Sequence, residues 1–312
     1  MLRRRQGLAP RAPYVLLKKR PFQPTTTPMK AKQRDTVGIP PLPQKPAWDS
    51  WLGKLGAKFS NDRRARARTT AEKQFQQVMA TARGIAEINP RGLPSLVRAL
   101  LRPKQAEYLL GVAELGQDPY PNIDSLKFFG AGLRPYFFEH GHYRAPHLQP
   151  DTFKIQLSRD ILLPWPWSTS RYNSALATIG SEKEIPGCDD YMRPYQGPWA
   201  QDYNHRVELW LPWGIGFVAG GNHSIAAGIL SGEGEVSPSS VYDLSYLFNE
   251  VRYDGRKFVD LKTAKALGPG SCWRVGATFE IGRLMREHGI QAPAAMRVTN
   301  LVQSFQSEAD VA

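Results

Sequence analysis

An uncharged stretch of 24 residues, Leu209 to Gly232, constrains the fold of this chain more than any other feature. Its length is sufficient for a helix to cross a bilayer. The stretch is interrupted, however, by six glycines, by Pro212 and by the polar step Asn222-His223-Ser224. Polar groups in the middle of a membrane span need partners there, so we expect a buried strand, turn and helix rather than a transmembrane helix.

Within this stretch, residues 217–229 predict a short apolar strand, a glycine turn and the first turns of an apolar helix. Asn222 is the expected helix cap, and His223 lies in the first turn. A glycine turn that opens a helix presents free backbone amides and the positive end of the helix dipole, which suits phosphate. The candidate phosphate-binding residues are Gly220, Gly221, Asn222, His223 and Ser224. The alternative for His223 is a structural hydrogen bond that holds the turn.

Apolar periodicity and turn residues predict the other elements. Helices are expected over residues 70–88, 93–101, 105–115, 220–230 and 275–288, with Pro103 separating the second from the third and Gly289 ending the last. Ser168 or Ser170 is expected to cap a further helix that runs to Ile179. Strands are expected over residues 152–157, 160–164, 207–211, 215–219 and 257–261, with a hairpin turn at Asp254-Gly255 and an ambiguous apolar segment at 241–253.

This uneven alternation of strands and helices favours a mixed α+β class over a doubly wound sheet. We expect a disordered basic arm at 1–50, a helical subdomain at 51–118, a mixed α/β core at 119–300 and a tail at 301–312. The arm is rich in proline and poor in apolar side chains, which is typical of disorder. The helices of the subdomain are expected to pack on the core or on each other.

Positive charge is concentrated near the beginning of the chain. The formal net charge is +13, yet residues 1–34 hold ten Lys and Arg with no acidic residue, and residues 74–312 are close to neutral. A basic arm on a neutral body predicts contact with a polyanion such as DNA. The candidate contacts are Arg3, Arg4, Arg5, Lys18, Lys19, Arg20, Arg63, Arg64, Arg66 and Arg68. The alternatives are a solvated leader without a partner, a transit peptide, which the lack of serine disfavours, and a translation start at Met29.

Two carboxylates beside a loop rich in proline and aromatic residues are candidates for Mg²⁺ coordination or general-base chemistry. Asp202 and Glu208 flank this loop, and either can act with His223 in an enzyme. Ordinary surface charge is the alternative interpretation. Aromatic residues of the same region can stack on nucleobases or pack over the sheet: Trp165, Trp167, Tyr172, Tyr191, Tyr195, Trp199, Tyr203, Trp210 and Trp213.

Metal-binding and disulfide signals are weak in this sequence. His140 and His142, with His147 nearby, have polar groups suited to a metal, but no cysteine or carboxylate cluster completes the set, so we predict no metal site. Cys188 and Cys272 form no CxxC motif, and a single long-range disulfide between them is the alternative to two free thiols. A reducing bacterial cytoplasm is the expected location.

The run from Val218 to Ala227, with the strand and proline at 160–164 upstream, resembles the signature of the ParB N-terminal and sulfiredoxin superfamily. In that group a strand leads into a Gly-x-His-Arg or Gly-x-Arg-Arg step and then a helix. The resemblance covers residues 152–262. It implies a compact α/β domain that binds a nucleoside triphosphate, with Mg²⁺, where Gly220, Gly221, Asn222 and His223 line the phosphates. The chain also resembles a group of bacterial proteins carried on plasmids and integrative elements.

Two positions depart from the pattern of that superfamily. Ser224 stands where the group has its second basic residue, so a bidentate arginine–phosphate contact is lost there. This loss favours nucleotide binding over hydrolysis. Asn222 stands where sulfiredoxin has its catalytic cysteine, which excludes that activity.

The leading hypothesis is a nucleotide-modulated DNA- or partner-binding protein of a bacterial mobile genetic element. One alternative is a nuclease or phosphotransferase that uses His223 with Asp202 or Glu208. A second alternative is a non-enzymatic adaptor that binds another protein through the aromatic loop at 185–213. No membrane partner is expected.

Overall fold

A five-stranded mixed sheet lies at the centre of the computed structural model, which describes residues 70–183 and 196–291. The strands are β1 (Phe138–Glu139), β2 (His142–Tyr143), β3 (His147–Leu148), β4 (Ile155–Gln156), β5 (Ile161–Leu163), β6 (Val207–Leu211), β7 (Ile215–Val218), β8 (Glu235–Val236), β9 (Ser240–Asp243), β10 (Val251–Tyr253), β11 (Phe258–Asp260) and β12 (Ala266–Gly268). The α-helices are α1 (70–88), α2 (Leu93–Leu115), α3 (Thr169–Thr178), α4 (Asn222–Ser231) and α5 (Trp273–Glu287). The predicted mixed α+β class is confirmed.

The central sheet has the strand order β3-β9-β6-β7-β5. β6 and β7 form an antiparallel hairpin in which Val207 pairs with Val218 and Trp210 pairs with Ile215. On either side of this hairpin, β5 runs parallel to β7 and β9 runs parallel to β6. The predicted turn at 212–214 closes the hairpin, where Gly214 adopts a positive φ of 73°. Because β7 pairs with β6 in this register, the hairpin determines where the segment between β7 and α4 lies relative to the start of β6.

Successive side chains of β6 and β7 face two different apolar cores, one on each side of the sheet. On one side, Leu209 lies in a core with Ala175 of α3 and Ile225 of α4. On the other side, Trp210 lies in a core with Phe279 of α5 and with apolar side chains of α1 and α2. Of the two predicted arrangements for the helices at 70–115, packing on the body is the one observed.

The prediction of two helices separated by Pro103 is wrong, because α2 continues through this proline. A proline inside a helix removes one amide donor and frees the carbonyl four residues earlier. Here both Pro103 and Ala99, which carries that carbonyl, are exposed, so water can satisfy the freed group. The buried side chains on the opposite face of α2 hold the helix together across the interruption: Leu93, Val97, Leu100, Leu101, Gln105, Tyr108, Leu109 and Val112.

The observed ends of α1 and α5 lie within two residues of the predicted ends. The helix predicted at 70–88 is confirmed, and the helix predicted at 275–288 extends over Trp273–Glu287, with Gly289 at φ 65° beyond it. Ser168 is the cap of α3, since its Oγ accepts a hydrogen bond from the Arg171 amide at 3.5 Å. The side-chain oxygen of an N-cap residue satisfies one of the otherwise unpaired first amides of a helix.

The strand predictions differ more from the structure. The strand predicted at 152–157 is wrong in its extent: Pro150–Thr152 is a 3₁₀ turn, and only Ile155–Gln156 pairs with another strand. The strand expected over 160–164 is confirmed in β5. The ambiguous segment at 241–253 contains most of β9, a 3₁₀ turn at Ser245–Asn249 and β10. The hairpin predicted at Asp254-Gly255 is confirmed, since it joins the antiparallel strands β10 and β11.

The uncharged stretch at 209–232 forms the greater part of the β6–β7 hairpin together with α4, as predicted. Among the residues that the structure describes, no helix has the length and apolar character needed to cross a membrane.

Candidate functional site

The β6–β7 hairpin places the glycine turn beside the chain that enters β6. One step beyond the Val207–Val218 pair, the Ala219 amide donates to the Arg206 carbonyl at 2.8 Å. The Gly220 amide donates to the same carbonyl at 3.2 Å. The Gly220 amide is therefore occupied and is not one of the free amides that the glycine turn was expected to present to phosphate.

Both glycines of the turn are needed for close packing. A Cβ atom at Gly221 would overlap the His205 ring, and Gly221 also has a positive φ of 73°. A Cβ atom at Gly220 would overlap the Asn204 carbonyl oxygen. Because glycine alone avoids these overlaps, packing against residues 204–206 explains the Gly-Gly pair without reference to a ligand.

The prediction that Asn222 caps α4 is wrong. Gly221 is the N-cap residue, and the first helical hydrogen bond runs from the Ile225 amide to the Gly221 carbonyl at 2.9 Å. The Asn222 side chain instead accepts a hydrogen bond from the Trp165 amide at 2.6 Å, which ties the segment after β5 to α4. The first amides of α4 have no partner within the helix, so they remain at the positive end of its dipole.

A cavity of about 480 Å³ opens above this turn, between α3, the segment at 202–206 and the start of α4. All five candidate phosphate-binding residues line it, and so does Asp202. The sequence therefore predicted a group of residues that the fold brings together. The cavity is also lined by residues that were not assigned to the site, among them Arg171, Tyr203, His205 and Arg206.

Glu208 does not belong to this cavity. Its carboxylate accepts a hydrogen bond from the Trp210 indole, and Trp210 lies in the core on the sheet face away from α3 and α4. Burial raises the pKa of Glu208 above its usual range. The predicted pairing of Glu208 with His223 is wrong, because Glu208 faces the same side of the sheet as Trp210, whereas Leu209 faces the side on which α4 packs.

The His223 ring connects the starts of two helices. Its Nε2 accepts hydrogen bonds from the Trp167 amide at 3.3 Å and from the Ser168 amide at 3.1 Å. Amides can only donate, so the proton of the neutral ring is on Nδ1. Burial lowers the pKa of His223, and the positive charge of Arg171 lowers it further. His223 is therefore a neutral donor at the cavity, with no free lone pair for general-base chemistry.

Asp202, His205 and Ser224 are spaced like the Asp, His and Ser of a catalytic triad. The proton on the His205 ring, however, is on the other nitrogen from the one that a triad requires. The His205 Nδ1 is 2.9 Å from the Asp202 Oδ1, and it also accepts the Asp202 amide at 2.7 Å. Because the amide hydrogen points at Nδ1, we assign the proton of the neutral ring to Nε2; a proton on Nδ1 would instead face the Asp202 carboxylate. Nε2 lies 2.9 Å from the Ser224 Oγ and donates to it.

A serine nucleophile needs a histidine that accepts its proton. Here the Ser224 oxygen accepts a hydrogen bond from His205, which leaves the serine's own hydrogen free to donate into the cavity. Burial lowers the pKa of His205, and the nearby Asp202 carboxylate offsets part of that effect. The arrangement therefore presents a hydroxyl donor and does not activate a nucleophile.

Arg171 and Arg206 supply the positive charge of the cavity. The Arg171 guanidinium lies 5.2 Å from the centre of the Trp167 ring. The Arg206 Nε lies 3.0 Å from where a Cβ of residue 220 would be, so its side chain extends over the glycine turn. Within residues 70–183 and 196–291, neither arginine forms a salt bridge, and Asp202 is the one carboxylate that lines the cavity.

The nine aromatic candidates have different positions. Trp165 is half-buried, and its indole donates to the Tyr120 carbonyl at 2.7 Å. Tyr172, Trp199, Trp210 and Trp213 are buried, so packing over the sheet is the correct interpretation for them. Trp167 and Tyr203 line the cavity. Tyr191 and Tyr195 lie outside the described residues.

The remaining candidates lie elsewhere. The ten basic residues proposed for nucleic-acid contact, Arg3 to Arg68, and Cys188 are outside the described ranges, and Cys272 is exposed and free. Glu139 and His142 pair across the short β1–β2 hairpin. Within the described part of the chain, no three His, Cys, Asp or Glu side chains are grouped closely enough to hold a metal ion.

A family model matches residues 60–292, and its description is a family of unknown function, DUF6710. The chain belongs to this family. The DUF6710 match includes every described residue and therefore the whole described lining of the cavity. Searches of curated proteins and of solved structures found no match. The resemblance to the ParB and sulfiredoxin superfamily stays a prediction.

Proposed function

We propose that this protein binds a nucleoside triphosphate in the cavity at the glycine turn and contacts DNA through its basic N-terminal segment. The observation that carries the proposal is the pair of arginines, Arg171 and Arg206, which line one cavity with no salt-bridge partner among the described residues. Arginine binds phosphate through charge and through several fixed donors. A polyphosphate chain is a ligand that uses both side chains at once.

The other donors of the cavity support the same ligand class. The Ser224 hydroxyl and the protonated Nδ1 of His223 are neutral donors, and the start of α4 adds its first amides. A volume of about 480 Å³ falls within the range of small-molecule sites. The proposal is for binding rather than turnover, because both histidines hold their protons in positions that do not suit a general base.

A thermal-shift experiment on the full-length chain tests the nucleotide site. CTP, ATP, GTP and UTP are each added with and without Mg²⁺, and we expect at least one of them to raise the melting temperature, because a ligand of the native state stabilises it. Arg206→Ala is expected to abolish the shift. Arg252→Ala is the matched control, since Arg252 is an exposed arginine of β10 outside the cavity. No shift at millimolar nucleotide, or equal shifts in both variants, would contradict the proposal.

Binding of duplex DNA at several salt concentrations tests the basic segment. Replacement of Arg3, Arg4, Arg5, Lys18, Lys19 and Arg20 by alanine is expected to weaken binding and to reduce its salt dependence, because each phosphate contact releases counterions. An unchanged salt slope in the variant would reject the role of this segment. The proposed setting, maintenance of a bacterial mobile genetic element, depends on this DNA contact.

A further inference from the structure

We infer that Tyr203 stacks on the base of the bound nucleotide, so that the cavity prefers nucleotides over inorganic polyphosphate. The inference rests on the proposed function and adds a contact to the base of the nucleotide to the proposed contacts with its phosphates. Tyr203 is 97% exposed, although its ring is large and mostly apolar, and it lines the cavity. Among the described residues, its ring contacts no other aromatic ring and no cation.

Trp167 is the other aromatic residue of the cavity, and its ring is already in contact with other side chains. The Arg171 guanidinium lies 5.2 Å from the centre of its ring, and the His223 ring lies 5.5 Å away in an edge-on arrangement. Its main-chain amide also donates to His223. Trp167 therefore positions charged and polar groups of the site, whereas Tyr203 presents an unused aromatic face.

The turn that carries Tyr203 is held in place on both sides. The Asn204 amide donates to the Asp202 carboxylate at 2.8 Å, and the His205 amide donates to the Asp202 carbonyl at 3.2 Å. The His205 ring in turn packs against the Trp199 ring, with 4.9 Å between the two ring centres. A ring on an anchored backbone loses less entropy when it contacts a ligand than a ring on an unrestrained loop does.

The position of Tyr203 relative to Arg206 suits a single nucleotide. The two residues are three positions apart, so their Cα atoms are separated by at most about 11 Å. Arg206 lies over the glycine turn, where the phosphates are proposed to bind, and both side chains line the same cavity. Stacking on an aromatic ring tolerates every base, so we expect the four nucleotides to bind with similar affinity.

The test compares a nucleotide with inorganic tripolyphosphate on the full-length protein, by isothermal titration calorimetry. The wild-type protein is expected to bind ATP roughly 5- to 150-fold more tightly than tripolyphosphate, which is the usual value of one stacked base. Tyr203→Ala should remove this preference, Tyr203→Phe should keep it, and the affinity for tripolyphosphate should be equal in all three proteins.

The outcomes separate the two proposals. Binding of tripolyphosphate without a preference for ATP, or a preference that survives in Tyr203→Ala, overturns the role of Tyr203 and leaves the phosphate site in place. Failure of the wild-type protein to bind either ligand overturns both. Equal competition by a single-stranded oligonucleotide without a triphosphate assigns Tyr203 to nucleic-acid contact and also overturns the inference.

Discussion

His223 in the first turn of α4 accepts a hydrogen bond from the amide of Ser168, the cap residue of α3, at 3.1 Å. The same ring nitrogen accepts the Trp167 amide. One imidazole thus satisfies two amides at the start of a neighbouring helix and fixes α3 against α4, where the two helices border the cavity. His223, which the sequence suggested as a catalytic residue, therefore has a structural role, and its replacement should lower the stability of the protein.

Replacing His223 by alanine should lower the free energy of unfolding by about 1–3 kcal/mol, because two partly buried amides lose their acceptor. Urea denaturation measures the change. His142→Ala is the control, since His142 is exposed on β2 and its side chain makes no hydrogen bond within the described residues. Equal stability of the two variants would show that the His223 contacts contribute nothing.

The stability of the protein should fall as the pH is lowered from 7 to 5. Burial lowers the pKa of both His205 and His223 below the ordinary value of 6.5. A group whose pKa is lower in the folded state stabilises the protein above its unfolded pKa, and this stability is lost as the pH falls through the folded pKa. Urea midpoints at several pH values measure the loss.

Glu208 acts in the opposite direction, because burial raises its pKa. Folding therefore becomes more favourable as this carboxylate takes up a proton, which offsets part of the histidine effect. The comparison of wild-type protein with His223→Gln removes this complication, since Glu208 is present in both. We expect the variant to show a shallower loss between pH 7 and pH 5. Parallel curves would contradict the assignment of a lowered pKa to His223.

Gly221→Ala should destabilise the protein more than Gly232→Ala. Both glycines have positive φ, 73° and 70°, so alanine brings a backbone strain of about 1–2 kcal/mol at either position. A Cβ at Gly221 also overlaps the His205 ring, whereas a Cβ at Gly232 meets nothing within 4 Å. Overpacking of this kind adds about 1–3 kcal/mol. Equal losses in thermal or urea denaturation would show that the His205 contact is absent in solution.

Pro103→Ala should stabilise the protein by about 1–3 kcal/mol, because alanine restores the amide and removes the steric conflict inside α2. Pro103 is exposed, so the change removes no buried contact. Glu114→Ala, at an exposed site later in the same helix, is the control and should change stability by less than about 0.5 kcal/mol. A decrease in stability at position 103 would contradict the continuous helix.

The hairpin explains why much of the site was predictable from sequence. Two strands joined by the turn at 212–214 pair in one register, and the Val207–Val218 pair places Arg206 beside Ala219 and the glycine turn. Local patterns predict the turn, both strands and the helix that follows, although not its cap. Extending the register by one step also identifies Arg206, which belongs to no single motif.

The other features of the site depend on contacts between distant segments. Arg171 reaches the cavity because α3 packs against α4, and no local pattern specifies that pairing. The proton positions of His205 and His223 follow from amides of other segments and from burial. Likewise, α2 persists through Pro103 because its opposite face is buried in the common core, a tertiary effect that overrides local preference.

Calorimetric titration of ATP and CTP into wild-type protein and Asn222→Asp tests directly whether the glycine turn binds phosphate. Aspartate keeps the acceptor for the Trp165 amide and suits the first turn of a helix, so the melting temperature should be retained. It also places a carboxylate in the cavity, and repulsion at about 4 Å near a protein surface costs about 1–4 kcal/mol. We predict micromolar to millimolar binding by the wild-type protein, weakened about tenfold or more in the variant. Equal affinity in both proteins, or no binding by the wild-type protein, would contradict a phosphate site at the glycine turn.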